Sequence, residues 1–554
     1  MSSSPKKITT SSTAEYFSKN LQQVGFSSPV KAVLTTLKEA MDNSLDACEE
    51  HGILPDIRVL VEKIGKGSTK NTDKILIRVE DNGPGLSSDQ VPMVFGEYLA
   101  SSKFGRGRCS RGQQGIGISA ATTWAVQTSA TGAQVTTKKE GQRKALSCLV
   151  STDLKNNKGI LQDKKMVPWD KPHGTIVEFM IDGRIQLNGD GGLLAYLRGT
   201  ILLNPHMSLH YKLSELEPTQ VDRLTQQVPT IPEATPPHPH TMKLGEFISH
   251  GRLFGSSTVK NWLEKGFSRV SDGMAHSIGK GMLTQNVASL SDQQFRDLYE
   301  VIQNTDFKPP STDSVIALGE ETLSLSMLRL GDMDYFSVVS RKPAICDFKP
   351  VQVEVAMARL KTKSQEDNEN AIQVLRFANR VPLQFDRASC AIVKAISSIN
   401  WKAYDLKQSK NQLPTGPYII AVSIVSPFIT FKNASKETID ASDDLVEEIR
   451  KALMKTGQQL SRHLKRENKA KELESKVSHI EKFCPILIET LCKIVGAGTE
   501  RKIRAEEGLK KILGRDNRKA EKELSEAEQK LLAHIEKNQK NLTMFKQEDE
   551  LVSE

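Results

Sequence analysis

The stretch Leu37–Ala47, LKEAMDNSLDA, decides how the rest of the chain is read. Around it Val33, Leu37, Ala40, Leu45, Ala47 and Cys48 recur at helical spacing, so residues 30–50 are predicted as one helix. On that helix Glu39, Asn43 and Asp46 fall at i, i+4 and i+7 and share a face. An Asn amide oxygen is a hard neutral ligand suited to Mg2+, which keeps most of its waters and bridges phosphates. A carboxylate one turn earlier orients a water and accepts its proton as a γ-phosphate is attacked. Taken alone, the same face also reads as a solvated acidic surface.

Three segments downstream supply the other parts of an ATP pocket. Asp81–Gly85, DNGPG, follows the β-rich run Ile75–Val79. A carboxylate at a strand end accepts the adenine amino hydrogens and rejects guanine, which presents a carbonyl there. Gly83 and Gly85 remove side chains, so a flat base can lie against backbone, although Asn-Gly is also an ordinary turn. Arg111–Gly117, RGQQGIG, offers backbone N–H groups at a helix start, where triphosphate oxygens are favoured. It is not GxxxxGK[ST], so a P-loop is excluded. Gly174 and Thr175 open the strand GTIVEFMI, with the Thr175 hydroxyl expected near Asp81, directly or through water, although the pair also reads as a plain strand start. Ile57–Val61 and Ile75–Val79 are predicted as neighbouring antiparallel strands, with more at 145–150 and 174–181, which indicates an α+β sandwich.

A chain of 554 residues exceeds a single core, so three or four domains are expected. The net charge of +9 permits a polyanionic partner without demanding one. Seven scattered cysteines, with no CxxC and no zinc-like spacing, read as reduced thiols of a cytoplasmic protein. No run approaches the roughly 18 apolar residues of a membrane span, and the Ser-rich start lacks an export core. The prolines of Val228–His240, VPTIPEATPPHPH, mark an extended linker. A small helical module follows over 243–306, closed by Pro309-Pro310. Strands are predicted at 335–340, 351–360, 371–381 and 417–426, with a helix near 388–400. A long helix is expected from about Ser435, with Leu445, Ile449, Leu453, Thr456, Leu460 and Leu464 on one stripe. The remainder is rich in Lys and Glu around Ile486-Leu487-Ile488, and Leu524, Ala527, Leu531 and Ile535 suggest an amphipathic helix.

Glu-x3-Asn-x2-Asp-Ala, Asp-x-Gly-x-Gly, Gly-x2-Gly-x-Gly and Gly-Thr, in that order, resemble the GHKL ATPases, which include gyrase B, MutL, a heat-shock chaperone and histidine kinases. Longer segments (EDNGPGL, SSKFGRGRCSRGQQGIGISAA, HGTIVEF, FKPPSTDSVIALGE, LRFANRVPLQF) resemble the B subunits of type IIB topoisomerases, the topoisomerase VI family, over roughly residues 10–465. The resemblance implies an α+β multidomain chain: a strap (1–25), a GHKL (Bergerat) α/β sandwich (26–235) and a helix–two-turns–helix insert (241–308). A ribosomal-S5-like transducer with its stalk helix (309–466) and a helical tail (467–554) follow.

Carried over by motif, Glu39 is the general base, Asn43 the Mg2+ ligand and Asp81 the adenine acceptor. Ser102 and Lys103, with Arg111, Gly112, Gln113, Gln114, Gly115, Ile116, Gly117 and Ile118, hold ribose and phosphates. Asp46, Gly83, Gly85 and Thr175 complete the nucleotide set. Lys436, in NASKETI, matches the transducer lysine that reaches the γ-phosphate, with Lys432 a nearby competitor. Trp401–Tyr404, WKAY, resembles a segment implicated in engaging DNA, although as a bare pattern Trp and Tyr at i and i+3 read as core. Lys260, Lys265, Arg269 and Lys280 of the insert are phosphate contacts or a solvated face.

The implied activity is ATP-driven dimerisation of two such chains around double-stranded DNA. The chain acts in an A2B2 heterotetramer whose A subunit cuts, with ATP and Mg2+ as cofactors and the apolar helix at 483–495 as the A-subunit contact. A mismatch-repair-type GHKL clamp, which lacks the insert, and a chaperone-like assembly protein are the alternatives. Gly331–Tyr335, GDMDY, imitates a metal site beside a nucleophile, but here the Asp-x-Asp precedes a strand and reads as a turn.

Overall fold

The computed structural model describes residues 11–100, 107, 109–112, 115–231, 234–361, 372–509 and 511. Ser102, Lys103, Gln113 and Gln114, the first ten residues of the expected strap and 512–554 of the tail lie outside the described residues.

In the first part of the chain α1 (Thr13–Lys19) and α2 (Pro29–Glu50) precede β1 (Asp56–Lys66) and β2 (Asp73–Asp81). Next come α3 (Gln90–Gly96), α4 (Gly117–Ser129), β3 (Ala133–Lys138), β4 (Ala145–Asp153), β5 (Lys158–Val167) and β6 (Gly174–Gly183). Then α5 (Leu193–Leu203), β7 (Ser208–Leu213) and β8 (Thr219–Val221) complete this part. The strand order is β5-β4-β3-β6-β2-β1-β7-β8. Within this sheet only β1 and β7 pair in parallel.

Ser28 caps α2 by accepting from the Lys31 N–H, and Pro29 supplies a preset φ at the first helical position. The apolar face of α2 (Val33, Leu37, Met41, Leu45) packs in one core with Ile57, Val59, Ile75, Ile77 and Phe179 of the sheet. The opposite sheet face carries charges: Arg78 donates to Glu178, its direct register partner, at 2.9 Å, and Lys171 pairs with Glu80. One face covered by helices and one face open is how an antiparallel sheet is stabilised in an α/β sandwich.

The insert contains α6 (Leu244–Leu253), α7 (Val259–Gly266), α8 (Asp272–Ile278) and α9 (Asp292–Gln303). They close around Phe247, Trp262, Phe267 and Phe295. The third part starts with α10 (Glu320–Met327), β9 (Met333–Ser340), β10 (Ala344–Cys346) and β11 (Lys349–Leu360). It continues with β12 (Gln373–Ala378), β13 (Val381–Pro382), α11 (Ala391–Ser398), β14 (Lys407–Gln408), β15 (Pro414–Thr415), β16 (Tyr418–Val425) and α12 (Asp443–Val495). Its sheet runs β10-β11-β16-β12-β13, with β9 also paired to β11. Residues of α11 and α12 bury one face of it. On the other face Leu202 and Leu203 of α5 share a core with Leu323, Phe377 and Ala421, so the first and third parts are packed together.

Three expectations are corrected. The long helix does not begin at Ser435: Phe431 and Ile439 bridge across a loop, leaving Lys436 in a left-handed conformation, φ +53°. The helix starts only after Ser442, whose hydroxyl accepts from the Leu445 N–H. It then runs for 53 residues, about 80 Å, straight through the boundary expected at 466/467. Pairs such as Glu467–Lys471 and Glu489–Lys493 at i, i+4 support it where no core does. Trp401 is not a stacking platform: it is fully buried, its indole N–H donates to the Ile396 carbonyl, and Gly457 of α12 leaves room for it. Of the WKAY residues, Lys402 is the charged one at the surface. GDMDY is not a turn before a strand: Asp334 and Tyr335 lie within β9, Asp334 paired with Arg359 and Tyr335 stacked on His463 at 4.6 Å.

Trp401→Ala is expected to lower unfolding stability by about 3–5 kcal/mol, whereas Lys402→Ala stays within about 0.5 kcal/mol. Denaturant melts of the two variants check this, and equal effects would return Trp401 to the surface.

Candidate nucleotide site

The register β2–β6 sets Asp81 opposite Thr175. The Asp81 carboxylate accepts from the Gly83 N–H at 2.9 Å, the Thr175 N–H at 3.2 Å and the Ser44 hydroxyl at 2.7 Å. Burial raises its pKa, and those three donors pull the other way. The oxygen bonded to Ser44 keeps a lone pair for an exocyclic amine. Thr175 therefore meets Asp81 through its amide. Its hydroxyl lies 3.1 Å from that of Thr137. Gly85 adopts φ +71° with the Lys138 backbone where a Cβ would sit, so the turn admits no other residue without strain.

Glu39 and Asn43 are both half-buried on α2. A Cβ on Gly117 would collide with the Glu39 carboxylate, so the missing side chain is what lets Glu39 lie against the first turn of α4. Ile116 precedes that turn and makes no side-chain capping bond to it, while the Ile116 and Ile118 side chains point into the core. What this segment offers a phosphate is therefore backbone N–H. Gly115 takes the left-handed φ of +59° that the approach to the helix requires. Among the described residues no three His, Cys, Asp or Glu gather to hold a metal. A Mg2+ here fits only as one shared with phosphates, with Asn43 its protein ligand.

The Arg111 and Asp46 side chains are engaged with each other and with Glu49. The Arg111 guanidinium is buried; it donates to Asp46 at 2.7 Å and to both oxygens of Glu49 at 2.7 and 3.1 Å. The other Asp46 oxygen accepts from the Gly112 N–H at 3.2 Å. These two residues anchor the glycine loop to α2. Burial would raise the Glu49 carboxyl, but Arg111, Arg380 and His206 hold it well below the usual carboxylate range. Burial also keeps His206 on the low side, so it donates to Glu49 as a neutral ring, 2.8 Å away.

The Lys436 ammonium crosses from the third part of the chain and donates to the Arg111 carbonyl at 2.7 Å. Ser110, Arg111, Asn379, Phe431 and Lys436 line one small cleft there. Neighbouring Glu437 pairs with Lys31 of α2 at 2.8 Å. Lys432 is exposed and has no such contact with the glycine loop. In the insert, Lys260 is paired with Asp272 and Arg269 donates to the Pro309 carbonyl, leaving Lys265 and Lys280 at the surface.

Glu49, Asn204, His206 and Arg380 escaped the sequence reading because no local spacing links them. A signal existed for Glu49 alone, which continues the acidic face of α2 one turn beyond Asp46.

Residues 30–155 match the family of histidine kinase-, DNA gyrase B- and HSP90-like ATPases. The sandwich and its strand-end carboxylate are thus those of a GHKL ATPase. Residues 310–476 match the transducer of the topoisomerase VI B subunit. The chain is 33% identical to the B subunit of type 2 DNA topoisomerase 6 from Archaeoglobus fulgidus over 489 residues, covering 87% of this chain and 79% of that one. With its counterpart from Methanococcoides burtonii it shares 34% over 493 residues, 88% and 77% of the two chains. With that of Saccharolobus islandicus it shares 28% over 524 residues, 93% and 96%. The chain belongs to the topoisomerase VI B-subunit family. The transducer match sets the mismatch-repair alternative aside.

One further acid on α2 has a measurable consequence. Asp42, buried between Glu39 and Asp46, has its pKa pushed from 3.8 to about 7, by burial first and opposed by Lys38. Ionisation is then harder in the folded chain than in the unfolded one. Its contribution is fully present below about pH 3.8 and lost as pH rises through about 7. Asp42→Asn is expected to flatten the fall in melting temperature between about pH 4 and 7, the interval between the two pKa values. An unchanged slope would remove Asp42 as its source.

Proposed function

We propose that this chain is the ATP-binding and hydrolysing subunit of a type IIB topoisomerase, and that nucleotide binding joins two copies through their first domains around a duplex. The observation that carries the reading is the Lys436 ammonium of the transducer lodged 2.7 Å from the Arg111 carbonyl of the glycine loop. A flexible point charge from one module, resting against the phosphate-binding backbone of another, is suited to sense a γ-phosphate. Asp81 accepts the adenine amine. The α4 N-terminus and glycine loop receive the phosphates, and Glu39 takes the proton of the attacking water. Mg2+, when bound with Asn43 as its protein ligand, neutralises phosphate charge. Ser102 and Lys103 belong to the same proposed set.

Release of the outer phosphate removes the counter-charge of Lys436, so hydrolysis alters the angle between transducer and ATPase domain. The stalk α12 carries that motion away from the pocket. Its far end exposes Phe483 (58%), Leu487 (56%), Leu491 (50%) and Ile494 (76%), a stripe at spacings of three and four. This stripe is the proposed contact with the DNA-cutting A subunit of an A2B2 assembly. Residues 1–25 are the proposed strap to the other protomer, and the cytoplasm the proposed compartment. Among the described residues no helix is long and apolar enough to cross a membrane.

The full chain, combined with an A subunit, is expected to relax supercoiled DNA only with ATP. Glu39→Ala retains nucleotide binding and dimerisation but loses hydrolysis by about 100-fold or more. Turnover near the wild-type rate would take Glu39 out of the base role. Lys436→Ala slows hydrolysis with the pocket still filling, as read by a fluorescent nucleotide. The same loss from Lys432→Ala instead would transfer the sensor to that residue.

A further inference from the structure

Lys436 is not the transducer's only hold on the glycine loop. The β12–β13 hairpin turns on Asn379 and Arg380, both left-handed at φ +47° and +65°, the geometry of a two-residue type I′ turn. The Asn379 amide fixes that turn by donating to the Ser426 carbonyl and accepting from the Ser426 N–H, both at 2.9 Å. Arg380 is thereby aimed into the first domain, where it donates to both oxygens of Glu49, at 3.1 and 2.6 Å. Glu49 thus receives two guanidinium forks at once, Arg111 from the glycine loop and Arg380 from the transducer. All three are nearly sealed from solvent, Glu49 at 4%, Arg111 at 3% and Arg380 at 6% exposure. With Asp46 the charges close: two carboxylates against two guanidinium groups.

Such a cluster is poorly explained as a device for stability, because an apolar set of similar volume does as well or better. Its distinguishing property is direction. A guanidinium fork fixes the plane of the carboxylate it binds, so the orientation of Glu49, and through it Arg111, depends on where the hairpin sits. Arg111 in turn begins the glycine segment, gives its carbonyl to Lys436, and is followed by Gly112, whose N–H Asp46 holds.

We infer that Arg380 is a positioning residue for ATP binding: from the transducer, and acting through Glu49 and Arg111, it sets the glycine loop in its phosphate-binding form. The inference rests on the ATPase reading above. It makes two transducer contacts serve opposite purposes, with Arg380 shaping the pocket before nucleotide arrives and Lys436 responding to the nucleotide once there.

The test is steady-state ATP hydrolysis and fluorescent-nucleotide binding by the full-length chain, for wild type, Arg380→Met and Arg380→Lys. Arg380→Met is expected to weaken nucleotide binding and raise KM for ATP by about tenfold, with kcat at saturation within about twofold. Arg380→Lys keeps the charge but not the fork, so its KM falls between the two. A merely structural arginine would lower the melting temperature without separating KM from kcat. A folded Arg380→Met with KM and affinity unchanged overturns the inference, as does a parallel fall of kcat with intact affinity. If Arg380→Met does not fold, Arg380→Lys decides: a raised KM supports the inference and an unchanged one overturns it. Wild-type chain that takes up no nucleotide would overturn the ATPase reading itself, a result distinct from either.

Discussion

The acidic stripe along α2 is the constraint on which the rest of the molecule depends. Glu39, Asp42, Asp46 and Glu49 follow one another every three or four residues, and three of the four are buried. A helix cannot hold that much negative charge inside a protein without cations brought to it. Here they come from elsewhere in the chain: Arg111 from the glycine loop, Arg380 and Lys436 from the transducer, Lys38 from the helix itself. Satisfying one helix therefore ties together the three pieces that a nucleotide-driven motion has to connect. The active-site geometry and the domain arrangement are a single electrostatic solution.

That solution is graded along the helix. Towards the C-terminal end Glu49 is clamped by two arginines and a neutral histidine, with its pKa held down. In the middle Asp42 is buried with a pKa near neutrality. Near the glycine lid Glu39 is half-buried and lies against Gly117. Three carboxylates on one helix thus meet three environments: one clamped by cations, one buried with little compensation, and one half-buried, the proposed base. Local sequence makes the stripe, and tertiary neighbours divide its labour.

This division explains which parts of the molecule could be read in advance. Periodicity made α2 legible, and the turn glycines made the strand end and the lid legible, because in each the chemistry is written within a few consecutive residues. Arg380 and His206 were not legible. They lie 331 and 157 residues from the Glu49 they bind, and nothing in their own neighbourhoods marks them. Asp46 and Arg111 were legible as members of the site, but not their pairing with each other and with Glu49, since a motif lists residues near a ligand without saying which hold one another in place. Trp401 shows the converse: the resemblance suggested a DNA-facing platform, while the bare spacing already read as core, which is where the packing under α12 places it. The unbroken run of the stalk past 466 was not legible because the buried stripe ends near Leu464 and the Lys/Glu-rich stretch before Phe483 has no core to mark its continuity. Its i, i+4 ion pairs carry it to Val495 all the same.

The two cations that the transducer contributes also differ in kind, which bears on how a force could be transmitted. A guanidinium seated on both oxygens of a carboxylate resists rotation as well as separation, so Arg380 behaves as a hinge pin whose axis is the Glu49 plane. An ammonium on a four-carbon stem resists only separation, so Lys436 can change acceptors over a few ångströms without unfastening the domains. Both belong to the transducer: Arg380, in the β12–β13 turn, reaches Arg111 through Glu49, while Lys436, in the loop before α12, meets the Arg111 carbonyl directly. On the proposed reading, exchange of the Arg111 carbonyl for a phosphate by Lys436 would turn the transducer about Arg380 rather than pull it free. Because α12 packs on one face of the transducer sheet and extends for about 80 Å, a rotation of a few degrees at the pin becomes a displacement of several ångströms at the exposed apolar end.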